Sequence, residues 1–443
     1  MVCDKHRVLP KCNELLTVAR DQRHFFVRRD APQWVVVNEL GAWVLRLCNG
    51  RRSLHEIAES ICRTYDRSLA EVQKDVLSFW SQLQASGFLT EPAPQQEEPT
   101  HVSLVSPQVY VTTRCNQSCS HCGVRGAFPE GDMPPELFRE VVRQSAALNA
   151  SKIVITGGEP LARGDLFDLL RTVEGVVPVQ VLTNATLVDA ANARQLASLR
   201  VAVQVSLDGG TRSVHDSIRG EGAFDTSLRA LRLLRDSGVN PLTINFTIQH
   251  ANANDLGNLL ELAQREGIGE ITLMPFVPGV EGDQRCRYAD PDSIVMAQQR
   301  VRHYDGPVVT QLNIPGFGKD AISGQRWCSP GRAPAIGPDG SVFPCTPFAH
   351  SPFLIGKLPG DTLEQVLRSK VLHDLRCIYQ ERVDKIEECA SCVWKHFCRA
   401  GCLAFAYHQQ GTLLAKDCFC EARRRLYSDL FLGGQDNGDR SQE

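Results

Sequence analysis

An α/β fold, a partial barrel of six strand–helix units, is what this 443-residue sequence predicts. Three observations carry that expectation. Between residues 102 and 305, strand-like runs alternate with helical patterns. Glycine and polar motifs, such as Gly157-Gly158, Thr183-Asn184 and Asp208-Gly209, follow several of the strand-like runs. Six units are too few for a closed eight-fold barrel. The runs are Gln108–Thr112, Lys152–Thr156, Val179–Leu182, Val201–Leu207, Leu242–Ile248 and Ile271–Pro275. Between them lie helical patterns at Pro134–Ala147, Asp165–Thr172, Asp189–Ser198, Phe224–Ser237 and Asp255–Glu266. Repeated alternation of this kind argues a parallel sheet with helices outside. Chemistry then belongs at the carboxyl ends of the strands.

Ahead of the barrel, residues 1–90 read as a separate domain. Phe25–Arg28 and Trp34–Val37 are short strand-like runs. Three helical patterns follow at Leu40–Cys48, Ser53–Tyr65 and Ser68–Ser86. Ser53 precedes Glu56 by three, and Ser68 precedes Glu71 by three, the arrangement of a capping box. Val72, Val76, Phe79, Trp80 and Leu83 recur at helical spacing and give the third helix one apolar face. Residues 91–101 contain three prolines and no large apolar residue before Val102, and read as a linker. After the barrel, 306–325 is a bridge. The span 326–425 is loop-rich and cysteine-rich, and 426–443 is an expected disordered tail.

A net charge of −3 gives no global reason to expect nucleic acid or an anionic membrane as partner. No apolar run approaches the roughly 20 residues that span a bilayer. Met1–Leu15 lacks the apolar stretch of a secretory signal, so a cytoplasmic location is the expectation. The 17 cysteines are then the abnormal number. A disulfide framework belongs to small secreted domains, so metal ligation is favoured.

Cys115-Asn116-Gln117-Ser118-Cys119-Ser120-His121-Cys122 follows directly on the first barrel strand. Three thiolates at this spacing can curl around one four-iron cube and leave its fourth corner open. An incompletely ligated metal is a reactive one, as in catalytic zinc sites. A zinc site completed by a distant ligand such as His121 is the competing reading. The C-x3-C-x2-C loop resembles the signature of the radical S-adenosylmethionine (SAM) superfamily. Gly157-Gly158-Glu159-Pro160, about 35 residues beyond the triad, resembles that family's SAM-binding turn. The resemblance implies a [4Fe-4S] cluster on Cys115, Cys119 and Cys122, with SAM on its open iron. It implies contacts to the SAM amino group from Gly157, Gly158, Glu159 and Pro160. Ser206 matches a ribose contact and Arg219 a carboxylate contact, with Asn245 or Thr247 near the ribose and Met274 against the adenine. Arg219 as a surface loop arginine is the bland alternative. Reductive cleavage of SAM to a 5′-deoxyadenosyl radical, and hydrogen abstraction by it, is the implied chemistry.

Farther on, Cys328, Gly340 and Cys345 precede Cys389-x2-Cys392-x5-Cys398-x3-Cys402, and Cys418 closes the array. These spacings, and the Asp339-Gly340 hairpin turn, resemble the SPASM domain of radical SAM enzymes. The resemblance implies two auxiliary [4Fe-4S] clusters. Cys328, Cys345 and Cys402 would hold the first, and Cys389, Cys392, Cys398 and Cys418 the second. A fourth ligand of the first is not identified; Cys286, Cys377 and Cys420 are candidates. Paired structural zinc sites are the alternative.

Val37-Asn38-Glu39-Leu40-Gly41 and Leu45-Arg46-Leu47-Cys48-Asn49-Gly50, with the two capped helices, resemble the pyrroloquinoline quinone peptide chaperone. That family is a winged-helix-like module that recognises leader peptides by strand addition. A DNA-binding winged helix is disfavoured, since Glu56, Glu59, Asp66, Glu71 and Asp75 leave no basic face. Together the resemblances imply an oxidoreductase of the peptide-maturing kind. It would act on a ribosomally made precursor peptide whose leader binds residues 1–90, forming a cross-link, oxidation or epimer. Maturation of a cofactor or of a partner oxidoreductase, such as a tungsten or quinone enzyme, is the alternative. A flavodoxin- or ferredoxin-type reductant is the expected electron source.

Overall fold

The computed structural model describes residues 15–89, 104–276, 288–312, 330–349 and 352–433. The linker 91–101, Cys286 and Cys328 lie outside the described residues. The chain divides into two compact bodies. One comprises 1–98, 383–399 and 423–443; the other comprises 99–382 and 400–422. The cysteine-rich span 326–425 is therefore divided between them.

In the first body an antiparallel sheet of order β1-β2-β3 joins Leu15–Arg20 (β1), Arg23–Arg28 (β2) and Trp34–Val37 (β3). The strand β1 has no counterpart in the sequence reading, because LLTVAR lacks strict alternation. Its edge is recruited by pairing with β2, from Leu15 opposite Arg28 to Arg20 opposite Arg23. Helices α1 (Glu39–Leu47), α2 (Leu54–Cys62) and α3 (Leu69–Ala85) follow. Asn38 Oδ1 accepts the Gly41 amide at 2.9 Å and starts α1. Ser53 and Glu56 form a reciprocal capping box at α2, and the Ser68 hydroxyl accepts the Glu71 amide at α3. Such caps satisfy amides that the helix itself cannot.

Successive side chains of a strand point to opposite faces. Phe25 and Phe26 nevertheless are both buried. Phe26 enters a core with Val44, Leu45, Ile57, Ile61, Val76 and Trp80. Phe25 faces the other way, against Trp394 and Phe431 at 4.8 Å between ring centroids. Both aromatics come from the C-terminal segments that belong to this body, so its sheet is covered on both sides. Offset and tilted aromatic pairs of this kind add about 0.5–1.5 kcal/mol each beyond the area they bury.

In the second body, parallel strands β4 (Gln108–Tyr110), β5 (Ile153–Thr156), β6 (Val179–Thr183), β7 (Ala202–Ser206), β8 (Leu242–Ile248) and β9 (Glu270–Pro275) stand in sequence order. Between them run α4 (Pro135–Ala147), α5 (Leu166–Thr172), α6 (Ala190–Ser198), α7 (Arg212–Arg219), α8 (Ala223–Asp236) and α9 (Leu256–Arg265). This is the expected six-stranded partial barrel, and two departures extend it. After α10 (Pro291–Arg302), a seventh parallel strand, β10 (Val309–Leu312), pairs with β9 inside the expected bridge. At the other edge β11 (Ala335–Ile336) pairs in parallel with β4. Its hairpin partner β12 (Ser341–Phe343) and then β13 (Gly356–Lys357) continue the sheet to ten strands. The Asp339-Gly340 turn predicted from sequence joins β11 to β12, and Gly340 has φ +82°. A Cβ there would lie 2.0 Å from the Leu358 carbonyl oxygen, so only Gly fits.

Alternation along the barrel strands sorts the side chains. Ile244, Phe246 and Ile248 of β8 join the apolar core beneath the helices. Thr243, Asn245 and Thr247 line the interior. The interior of this barrel is thus polar and open rather than packed.

The remaining helices are α11 (Leu363–Leu367), α12 (Lys370–Lys385), α13 (Glu387–Ala390), α14 (Lys395–Cys398), α15 (Leu403–Gln410) and α16 (Cys420–Leu432). The cysteine-rich span is more helical than its composition suggests. The expected disordered tail from 426 is helical through Leu432, because Tyr427 and Phe431 bury their rings in the first body.

Candidate radical SAM site

A cavity of about 770 Å3 occupies the barrel interior and opens on the carboxyl ends of its strands. Cys115, Cys119 and Cys122 all line it. The loop that carries them is held from three directions. Ser120 donates its amide to the Ile218 carbonyl at 3.0 Å, which ties the loop to the end of α7. Asn184, just past β6, donates to Asn116 Oδ1 at 3.0 Å and reaches Cys115 Sγ at 4.0 Å. The third tie comes from the glycines after β5. Gly158 and Glu159 donate their amides to Thr112 O and Arg114 O, each at 2.8 Å. A Cβ on Gly157 would sit 2.3 Å from Thr112 O, and one on Gly158 2.2 Å from Arg114 O. The glycines therefore permit close approach to the cysteine loop's own backbone, a role the sequence reading did not include.

Glu159 is buried and braces the next strand end. Its carboxylate accepts from Thr183 Oγ1 at 2.7 Å, the Asn184 amide at 2.8 Å and the Leu161 amide at 3.0 Å. Burial raises its pKa, and those three donors oppose the rise. Pro160 opens the one-turn helix that follows and is the one expected SAM contact that does not line the cavity. Gly157, Gly158, Glu159, Ser206, Arg219, Asn245, Met274 and also Thr247 do line it.

Arg219 lies on α7, not on a surface loop. Gly220, with φ +108°, ends that helix just after it. Its guanidinium is buried and donates to Asp208 Oδ2 at 2.5 Å, with Nη1 4.0 Å from Cys119 Sγ. Asp208, fully buried, is the hub that sequence reading passed over within Ser-Leu-Asp-Gly. Its second oxygen accepts the Thr247 amide at 2.8 Å, and His121 Nε2 lies 3.2 Å from Oδ2. Its own amide is donated to His215 Nδ1 at 3.2 Å. Burial alone would raise the Asp208 pKa, but Arg219 and His121 hold its carboxyl well below the usual carboxylate range. Burial, with Arg219 beside it, pushes His215 down to about 4, so it accepts as a neutral imidazole. His121 is thus committed to Asp208, which weakens the zinc alternative. Only the Asp208-Gly209 pair after a strand is visible in the sequence; the burial and the partners Arg219 and His121 come from the fold.

The chemistry of the donor set fits an iron–sulfur group. Burial raises the thiol of Cys115 and pushes that of Cys119 up to about 11, and the neighbouring Cys122 adds to the rise of both. Such thiols become thiolates only when a metal supplies the compensating charge. Among the described residues no three His, Cys, Asp or Glu side chains are gathered as ligands of a single ion. A four-iron cube spaces its thiolates more widely than one ion does, and the three cysteines share the cavity wall.

Of the second array, Cys328 lies outside the described residues. Cys345 follows β12 and begins a 3-10 turn. Cys402 is buried, and its amide donates to Asp417 Oδ2 at 2.8 Å. Burial raises the Cys402 thiol. Gly401, at φ +77°, would clash through any Cβ with Asp417 Oδ2 at 2.2 Å. Cys418 and the candidate Cys377 and Cys420 belong to the second body, and Cys389, Cys392 and Cys398 to the first. Cys377 lies 3.5 Å from His373 on the exposed side of α12.

Family profiles agree with this geometry. The radical SAM superfamily matches residues 109–263, coenzyme PQQ synthesis protein D matches 24–89, and an iron–sulfur cluster-binding SPASM domain matches 328–393. All three domains are present: a radical SAM domain, with a PqqD-like domain ahead of it and a SPASM domain after it. It is similar to mycofactocin maturase MftC of Mycobacterium tuberculosis H37Rv, 29% identical over 71% of this chain and 83% of that protein. It is also similar to the AdoMet-dependent heme synthase of Methanosarcina barkeri, 26% identical over 70% of this chain and 94% of that protein. In fold it matches Streptococcus suis SuiB bound to precursor peptide SuiA, with TM-score 0.61 and 14% identity over 92% and 98% of the two chains. It likewise matches anSMEcpe with bound AdoMet, with TM-score 0.61 and 18% identity over 74% and 97%. Among the described residues no helix is long and apolar enough to cross a membrane.

Proposed function

We propose that this enzyme matures a ribosomally made precursor peptide by hydrogen abstraction, and that the PqqD-like domain holds the leader. One observation carries the reading of the site. The three cysteines, the glycine turn and the Asp208–Arg219 pair converge on a single polar cavity at the carboxyl ends of the parallel strands. Cys115, Cys119 and Cys122 would hold a [4Fe-4S] cluster. When bound, that reduced cluster and SAM supply a 5′-deoxyadenosyl radical able to take hydrogen from an unactivated carbon.

The chain's own residues position and exclude. Arg219 presents a buried guanidinium suited to a carboxylate. Asp208 holds that guanidinium in place. Glu159 fixes the glycine turn that would hold the amino group of SAM. Ser206 and Asn245, paired across β7 and β8, offer hydroxyl and amide to the ribose. Met274, facing the same cavity from β9, suits the adenine. The seven-cysteine array is read, on its spacing, as the holder of two further clusters. Among the described residues β1 and β3 are the edges of the β1-β2-β3 sheet, and their backbone groups are what an added leader strand would pair with. The likeness in fold to SuiB, solved bound to precursor peptide SuiA, supports a peptide as substrate. A flavodoxin- or ferredoxin-type donor and a cytoplasmic setting suit a reductive reaction.

The mycofactocin and heme relatives favour a second reading, in which the product is a cofactor. The test is anaerobic reconstitution with SAM, a reductant and the peptide of a neighbouring small reading frame. Release of 5′-deoxyadenosine with a mass change in the peptide is expected. Iron-loaded protein that cleaves SAM yet leaves every such peptide unchanged would favour the cofactor reading. Protein that cannot cleave SAM would overturn both.

A further inference from the structure

Tyr288 is a buried donor without an acceptor. Its ring is wedged edge-on among Phe276, Phe405 and Phe419, with centroid separations of 5.5, 6.1 and 6.0 Å. Three aromatic neighbours fix the ring, so its hydroxyl is aimed rather than free to swing. Two of those neighbours sit in the cysteine array: Phe405 three residues after Cys402, and Phe419 directly after Cys418. The hydroxyl oxygen is buried and has no hydrogen-bond partner among the described residues. Cys418, Cys402 and Asp417 are close enough for their charges to bear on the phenol. Asp417 accepts already from the Cys402 and Phe419 amides.

A buried hydroxyl left unpaired is destabilising, and native structures rarely keep one without a reason. A Phe at this position would fill the same space among the same rings. Among the described residues no acceptor meets the hydroxyl, and a group held by Cys402 or Cys418, both near the phenol, would supply one. Thiolates and sulfides of an iron–sulfur cluster are acceptors with no donor of their own. Hydrogen bonds to them stabilise the more negative, reduced state and raise the potential.

We propose that the Tyr288 hydroxyl donates a hydrogen bond to the sulfur of one auxiliary iron–sulfur cluster, held at Cys402 or at Cys418, and so sets that cluster's potential. Tyr288 is a positioning and tuning residue, and no bond is made or broken at it. The inference rests on the reading of the second cysteine array as a cluster holder.

Tyr288→Phe in the full-length, anaerobically reconstituted enzyme tests it, with iron and sulfide content and an EPR-monitored redox titration as readouts. The variant is expected to keep full iron and sulfide, and SAM cleavage at the barrel cluster is expected to persist. One auxiliary signal should titrate at lower potential. At the wild-type midpoint its reduced-to-oxidised ratio should fall roughly fivefold, the factor that one ordinary net hydrogen bond provides. Unchanged midpoints in fully loaded Tyr288→Phe would overturn the tuning role while leaving the clusters in place. If wild-type protein instead binds only the iron of a single cluster, the reading of the array fails, and this inference falls with it. If the phenylalanine variant loses iron, Tyr288→Met, which fills the space without a donor, is compared. Restored iron with a potential still lowered keeps the donor role; restored iron at the wild-type potential removes it.

Discussion

The core of the first body and the strand ends of the second bury side chains under opposite rules. Around α1–α3, burial is apolar: Leu54, Ile57, Ile61, Val76, Trp80 and Leu83 are each nearly inaccessible. At the barrel's carboxyl end the buried side chains include Glu159, Asp208, Arg219, His121 and His215. Taking a charge out of water is expensive unless it is paired, and even a paired one seldom outperforms apolar packing. A fold gains nothing in stability by concentrating charges there. Their concentration next to three cysteines marks where the protein has given up stability for a site.

The sharpest way to break that comparison is Asp208→Ala. It leaves Arg219 buried without its carboxylate, an uncompensated charge that costs about 3–5 kcal/mol. Chemical denaturation should show that loss in the second body's transition, and SAM-dependent 5′-deoxyadenosine formation should fall at least tenfold. Asp208→Asn, which keeps the shape and one acceptor, should lose less stability yet bind SAM more weakly, as isothermal titration would register. Wild-type activity in Asp208→Ala would show that the hub is structural only.

The first body should respond in the contrary manner. Ile57→Ala removes a fully buried side chain from an apolar core and should cost about 2–5 kcal/mol. Peptide turnover should then fall with temperature as this body loosens, while cleavage of SAM alone is unchanged. Equal losses of both activities would mean that the two bodies do not divide the labour.

The smallest effect concerns an exposed edge of the barrel. The Arg232 side chain, then burial in opposition, then Arg235 set the pKa of Glu266, with the net direction downward. A lowered folded-state pKa means stability present above the ordinary glutamate pKa and lost as pH falls through the folded value. Glu266→Gln should therefore match wild type in strong acid and be the less stable of the two near neutrality. Thermal melts from pH 7 downward would show the two curves converging.

The local periodicities of this chain were legible without a structure. Six barrel strands, the helices between them except α7, and the capped α2 and α3 follow from alternation, helical spacing and capping residues, which act over a few neighbouring positions. The cysteine loop and the glycine turn are legible for the same reason: their chemistry lies in contiguous residues. Pairing across long sequence distances is not written locally. Nothing in Ala335-Ile336 announces that it will extend the barrel sheet beside Val109, or in Val309 that it will pair with Glu270. Asp208 becomes a hub only when α7 folds back over the strand ends and brings Arg219 to it, with His121 arriving from a third segment. Tyr288 is an unremarkable tyrosine until Phe405 and Phe419 close around it. Sequence by itself determined the elements and the ligand chemistry, because backbone geometry and metal preference are properties of short segments. Only the tertiary structure decided which charges share a buried space, because the desolvation that couples them exists only after packing.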